Sequence, residues 1–200
     1  MSLQQFLALI GLTLRRPDLA APVVTALFAR PGARGMALGA VMAGSALLGA
    51  LAEAMFTMVT GLDLGQGLSP FAVALMQGAA ILYFGFAMSF FGRQLGGQGQ
   101  FGDALSLMIW VEVMLIAGQA VQLVVMVFFP MAAVMLSLAL LGLMFWLTVR
   151  FTAVLHGFDN LFFVGAGVLL VFIGSAMVLG ALAMALGIEL PFMVSAGAGE

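Results

Sequence analysis

Cysteine is absent from the 200 residues, the six basic residues are all arginine, and histidine and tyrosine occur once each. Without a thiol there can be no disulfide, no iron–sulfur cluster and no thiolate zinc site. A single histidine and no lysine narrow the catalytic options further. Charge is scarce as well: 7% of residues are charged, whereas about a quarter are in an ordinary soluble domain. The net charge of -2 indicates neither nucleic acid nor an acidic partner.

In place of charge there is hydrocarbon. The hydrophobic share is 64%, the mean hydropathy is +1.26, and the chain reads as an integral membrane protein. Eighteen Phe and sixteen Met supply bulky, adaptable packing groups. The 26 glycines suit close approach of helix backbones in lipid.

Near the middle lies a polar stretch, Gly92 to Asp103, between two long apolar runs. Its glycines read as a flexible hinge and its glutamines and Asp103 as groups at home in water. Apolar runs of about 20 residues, enough to cross the hydrocarbon core, place five spans at about 36–60, 70–91, 104–129, 131–149 or on to 155, and 161–187. Ser69-Pro70 supplies an N-cap and first-turn proline for the second span, and Asp103 is expected to cap the third. Pro130 allows only a tight turn, so the fourth span runs antiparallel to the third.

The fold class is therefore all-α: one polytopic bundle of five transmembrane helices, preceded by short amphipathic N-terminal helices. Residues 1–34 form an interfacial segment, 35–188 the membrane domain and 189–200 a short polar tail. Leu3, Phe6, Leu7, Ile10 and Leu14 recur at helical spacing, giving a helix that lies flat on the membrane or packs on the protein's own surface. Arginines follow this apolar stretch instead of preceding it, so it is not read as a cleavable signal. Pro22 is expected to open a second short helix reaching Arg30.

Orientation follows from the arginines. Arg15, Arg16, Arg30 and Arg34 precede the first span, Arg93 lies between the second and third, and Arg150 near the fourth-to-fifth connection. All six fall on one side, so the positive-inside rule makes the N-terminus cytoplasmic and the C-terminus external. The first four are candidates for contact with lipid headgroups or a partner.

Ionisable groups inside a span are costly and direct attention to function. Glu53, Gln77 and Gln122 each lie about 10 Å from the outer end of their spans, with Gln119 one turn deeper. They are expected to share one intramembrane polar cluster, serving either as interhelical glue or, through Glu53, as a site for proton or cation uptake. Glu112, about 12 Å inside the third span, is expected to pair with Arg150. His156 reads as a helix-end residue, with an axial-ligand or proton-carrier role as the alternative. Trp110 and Trp146 read as packing or interface anchors. Ala46, Ala50 and Ala54 give the first span a small-residue face for internal packing or a homodimer seam. There is no HExxH, P-loop or GxSxG motif and no carboxylate pair spaced to share a proton, so no catalytic, metal or cofactor-binding residues are assigned.

The run Leu95-Gly96-Gly97-Gln98-Gly99-Gln100-Phe101-Gly102-Asp103 and the apolar continuation to Val113, together with Val154-Leu155-His156-Gly157-Phe158, resemble segments of bacterial Yip-domain proteins, relatives of the eukaryotic Ypt/Rab-interacting family. The likeness extends over roughly residues 17–187. It implies a non-enzymatic multi-pass protein of the bacterial inner membrane, with a periplasmic C-terminus, acting as a membrane-organising or partner-binding subunit alongside other membrane proteins or itself. The chain lacks the long acidic-aromatic N-terminal region of the eukaryotic members, so small-GTPase binding does not carry over. From a different class, the alternative is a small transporter or channel built on Glu53 and the nearby glutamines.

Overall fold

The computed structural model describes residues 2–30, 32–61 and 69–185, and all regular structure among them is helical. In chain order the helices are α1 (Leu3–Arg15), α2 (Pro17–Leu27), α3 (Ala33–Thr60), α4 (Pro70–Gln94), α5 (Phe101–Phe128), α6 (Pro130–His156) and α7 (Leu161–Ala185). Helices α3 to α7 each contain a stretch long and apolar enough to cross a bilayer. The chain is a multi-pass, all-α membrane protein. The expected turn at 62–67 and the tail at 189–200 lie outside the described residues.

Local chemistry sets the helix ends. Ser2 and Gln5 form a reciprocal capping box on α1, with bonds of 3.3 and 2.8 Å, satisfying donors that the first turn leaves free. The Ser69 hydroxyl accepts from the Ala72 N–H at 3.2 Å, and Pro70 opens α4. Two expectations at helix starts are corrected. Helix α2 begins at Pro17, and Pro22 lies inside it, because proline at the first position costs no hydrogen bond and already has helical φ. Helix α5 begins at Phe101 after Gln100, and Asp103 lies in its first turn instead of capping it.

Helices α1 to α6 make one compact unit and α7 belongs to a second. Within the first unit α5 is central, touching α2, α3, α4 and α6. Every residue from Ala104 to Glu112 is buried, which requires neighbours around the whole circumference of the helix. Gly85 lets α4 approach closely there, since a Cβ on it would lie 3.2 Å from the Leu105 Cα.

Burial is lopsided along these helices. Toward the arginine-bearing end, α4 buries Ala87, Met88, Ser89 and Gly92, and α6 buries Leu147 to Val149 and Phe151 to Ala153. Toward the other end α5 buries only Leu123 and α6 only Ala133. Val121, Val124, Val127, Phe128, Met131, Val134, Met135 and Leu138 face outward there, as residues with lipid for solvent do.

Helices α1 and α2 close the packed end. Ala20, Ala21 and Val24 of α2 are buried in the same core as Trp110, Leu147 and Phe151. Trp110, 1% exposed, donates from Nε1 to the Thr13 hydroxyl of α1 at 2.9 Å, and the Phe6 ring meets it edge-on at 5.9 Å. Of the two expectations for α1, packing on the protein therefore describes the Leu9–Thr13 face, while Leu3, Leu7 and Leu14 remain exposed. Trp110 is an interior anchor, not an interfacial one. A Thr13→Val variant leaves the buried indole N–H without an acceptor and is expected to lose about 1–3 kcal/mol. Unfolding of the purified protein in detergent measures this, with Thr25→Val, whose half-buried residue donates only locally to the Pro22 carbonyl at 3.1 Å, as the near-neutral reference.

Candidate functional site at the arginine-bearing end

The connection from α4 to α5 is a packed platform, not a free hinge. Gly96 takes a left-handed φ of 89° and the Gly97 N–H reaches back to the Gly92 carbonyl at 2.9 Å, a Schellman end to α4. Helix α6 closes in the same way: Gly157 has φ 72° and the Phe158 N–H bonds the Ala153 carbonyl at 2.9 Å. The two closures bring the 92–99 segment onto His156.

His156 is 5% exposed, and both ring nitrogens are used. Nδ1 accepts from the Gly99 N–H at 3.2 Å, which assigns the ring proton to Nε2, and Nε2 donates to the Met88 carbonyl at 3.0 Å. Phe158 stacks on the ring with centroids 5.5 Å apart. A Cβ on Gly92 or Gly97 would overlap the imidazole, and one on Gly99 would come within 2.7 Å of Cε1. The glycines thus make a ring-shaped slot, and His156 ties α4, the loop and α6 together. With both nitrogens committed, the ring offers no lone pair to a metal or haem iron. Among the described residues no three His, Asp or Glu side chains converge as a metal site would require.

Beside this platform Arg34 pins the start of α3 to α5. Its Nε donates to the Ser106 hydroxyl at 2.9 Å and Nη2 to Asp103 at 3.3 Å, while Ser106 donates to the Gly102 carbonyl at 2.9 Å. A Cβ on Gly102 would sit 2.7 Å from Arg34 Nη1. Of the four arginines assigned to lipid or partner contact, Arg34 is therefore engaged inside the protein. Arg16 is paired with Asp18 through Nε at 3.3 Å and Nη2 at 3.0 Å. Arg15 and Arg30 remain exposed. The hydrogen bond from Arg16 holds the Asp18 carboxyl below the usual carboxylate range, and the positive charge of Arg150 on α6 adds to that effect through space.

The expected Glu112–Arg150 ion pair does not form. Glu112, 5% exposed, accepts from the Ser45 hydroxyl of α3 at 2.6 Å, whereas Arg150 belongs to no ion pair among the described residues and its charge acts on Asp18 of α2. Similar depth did not put them on facing sides.

Rotation also separates the expected intramembrane cluster. Gln122 donates to Ser137 at 2.6 Å and to the Ala133 carbonyl at 3.3 Å, joining α5 to α6. Among the described residues no hydrogen bond links it to Glu53, Gln77 or Gln119. Glu53 is exposed: it follows Ser45 by eight residues, a turn of about 80° away from the α5-facing side. Ala46 of the small-residue face is buried within the bundle, whereas Ala50 and Ala54 face outward.

The sequence reading passed over Thr13, Ser45, Ser137 and the buried state of His156. The close spacing of Gly92, Gly96, Gly97, Gly99 and Gly102 is the sequence signal for a slot, and the same spacing suits a flexible hinge. A scan against protein-family models and searches of curated proteins and solved structures found no match to this chain.

Replacing His156 by Ala removes the ring and strands the Gly99 N–H and Met88 carbonyl, an expected loss of about 2–4 kcal/mol. Gly97→Ala, which intrudes on the same slot, is expected to destabilise as well. Gly49→Ala has open space around its Cβ and is expected to be neutral or to gain up to about 1 kcal/mol from helix propensity. Equal unfolding midpoints for the two glycine variants would contradict the slot.

Proposed function

We propose that this chain is a non-enzymatic membrane protein of Yip type, seated in the bacterial inner membrane with its N-terminus cytoplasmic and its C-terminus periplasmic. In this reading it acts as a membrane-organising or partner-binding subunit through the arginine-bearing end. The observation that carries it is the meeting of the two segments on which the resemblance rests. The Gly96–Gly102 run and the 154–158 run are far apart in sequence, yet Gly99 and His156 bond directly at 3.2 Å. A shared packing constraint gives both short motifs one physical cause.

The asymmetry of burial supports the same end as the working surface. Helices α1 and α2 cover it on one side, and Arg15, Arg30 and Arg93 stand exposed around it, suited to anionic headgroups or an acidic partner. A transport reading would need a continuous polar route from Glu53, and among the described residues the hydrogen bonds of Gln122 lead to α6 instead.

Two measurements test the proposal. A periplasm-dependent reporter fused after Glu200 is expected to be active and a cytosol-dependent one silent; the reverse would reject the orientation. Cross-linking in native membranes is expected to capture discrete membrane-protein partners, at least several-fold less with Arg15 and Arg30 both changed to Gln. Proteoliposome ion flux abolished by Glu53→Gln would instead establish the transporter.

A further inference from the structure

Among the described residues, Arg150 alone has a buried side-chain nitrogen or oxygen left without a hydrogen-bond partner. Its Nε is buried and has no hydrogen-bond partner, and among the described residues it belongs to no ion pair. Its charge acts on Asp18, whose carboxylate is already taken by both Nε and Nη2 of Arg16. A guanidinium carries five donors in a rigid fork that matches a phosphate or carboxylate, and burying such donors unsatisfied is unfavourable.

Its depth is informative. Arg150 follows Pro130 by 20 positions, about 30 Å along a helix, which equals the thickness of the hydrocarbon core. With Pro130 at one boundary, Arg150 stands at the other, where lipid phosphates lie. The charges of Arg16 and Arg150 both act on the single carboxylate of Asp18 beside the α1–α2 elbow, and Arg15 stands exposed at the end of α1. The elbow is held in place by the fully buried Pro17 and by the Thr13–Trp110 bond, so the cations need little reorganisation to receive an anion.

We propose that Arg150 and the α1–α2 elbow form a seat for the phosphate group of an anionic membrane lipid, with the Arg150 guanidinium as the principal donor and Arg16 and Arg15 at its rim. The assignment rests on the reading of this end as the lipid- and partner-facing surface and gives it a specific ligand chemistry. The lipid phosphate takes the Nη donors, which have no partner among the described residues, while the buried Nε stays inside the protein, and it braces α6 against α2.

The test uses the full-length protein extracted in mild detergent. Native mass spectrometry is expected to show phosphatidylglycerol or cardiolipin retained by wild type and by Gly49→Ala, whose Cβ meets open space, and retention reduced at least tenfold in Arg150→Gln. Undiminished retention in Arg150→Gln, or equal retention of phosphatidylcholine by wild type, would overturn the seat. A second measurement independent of the folding of Arg150→Gln titrates the delipidated wild type: phosphatidylglycerol is expected to raise its unfolding midpoint and phosphatidylcholine is not. No shift with phosphatidylglycerol overturns the proposal, and an equal shift with inorganic phosphate overturns the assignment to a lipid. Lipid retained in Arg150→Gln but lost when Arg15 and Arg30 are changed would sink this seat while leaving the broader surface reading intact.

Discussion

Helix length against bilayer thickness is the constraint on which the compact unit depends. Helices α3 to α6 run 25 to 28 residues, while about 20 suffice to cross the hydrocarbon core. The surplus of roughly 10 Å per helix extends past the lipid tails into headgroups and water, where protein can pack on it and polar groups cost less. That is where burial concentrates, and where Arg34, Trp110, His156 and the α1–α2 pair collect. Within the hydrocarbon, lipid covers apolar side chains as well as a neighbouring helix does, and the faces of α5 and α6 remain open.

The polar interactions of the packed end are each arranged so that no strong donor is wasted. His156 has one nitrogen that gives and one that receives, and the backbone supplies the complement from Met88 and Gly99. Trp110 finds a hydroxyl on α1, and Arg34 finds a hydroxyl and a carboxylate on α5. Such bonds are directional and fix the register of helices that hydrophobic contact alone would let slide. Arg150 departs from this economy, because its buried Nε has no acceptor among the described residues.

Glycine plays a different part here from the one its usual reputation suggests. At Gly92, Gly97 and Gly99 the missing side chain makes room for an imidazole. The slot makes the connection between α4 and α5 a structural centre, and it joins two segments that sequence order keeps apart.

From the sequence alone one could determine the class and the punctuation: five apolar helices, the proline and serine starts of α4 and α6, and the gathering of arginines toward one end of the spans. These depend on local composition and on one-dimensional length, which the bilayer converts directly into helices. Only the tertiary structure decided the partners. Glu112 met Ser45 instead of Arg150, Gln122 met Ser137 instead of Glu53, and His156, at the end of α6 as expected, is buried between Gly99 and Met88. Depth can be counted from sequence at about 1.5 Å per residue, but azimuth cannot, because rotation of each helix is set by packing against all its neighbours at once.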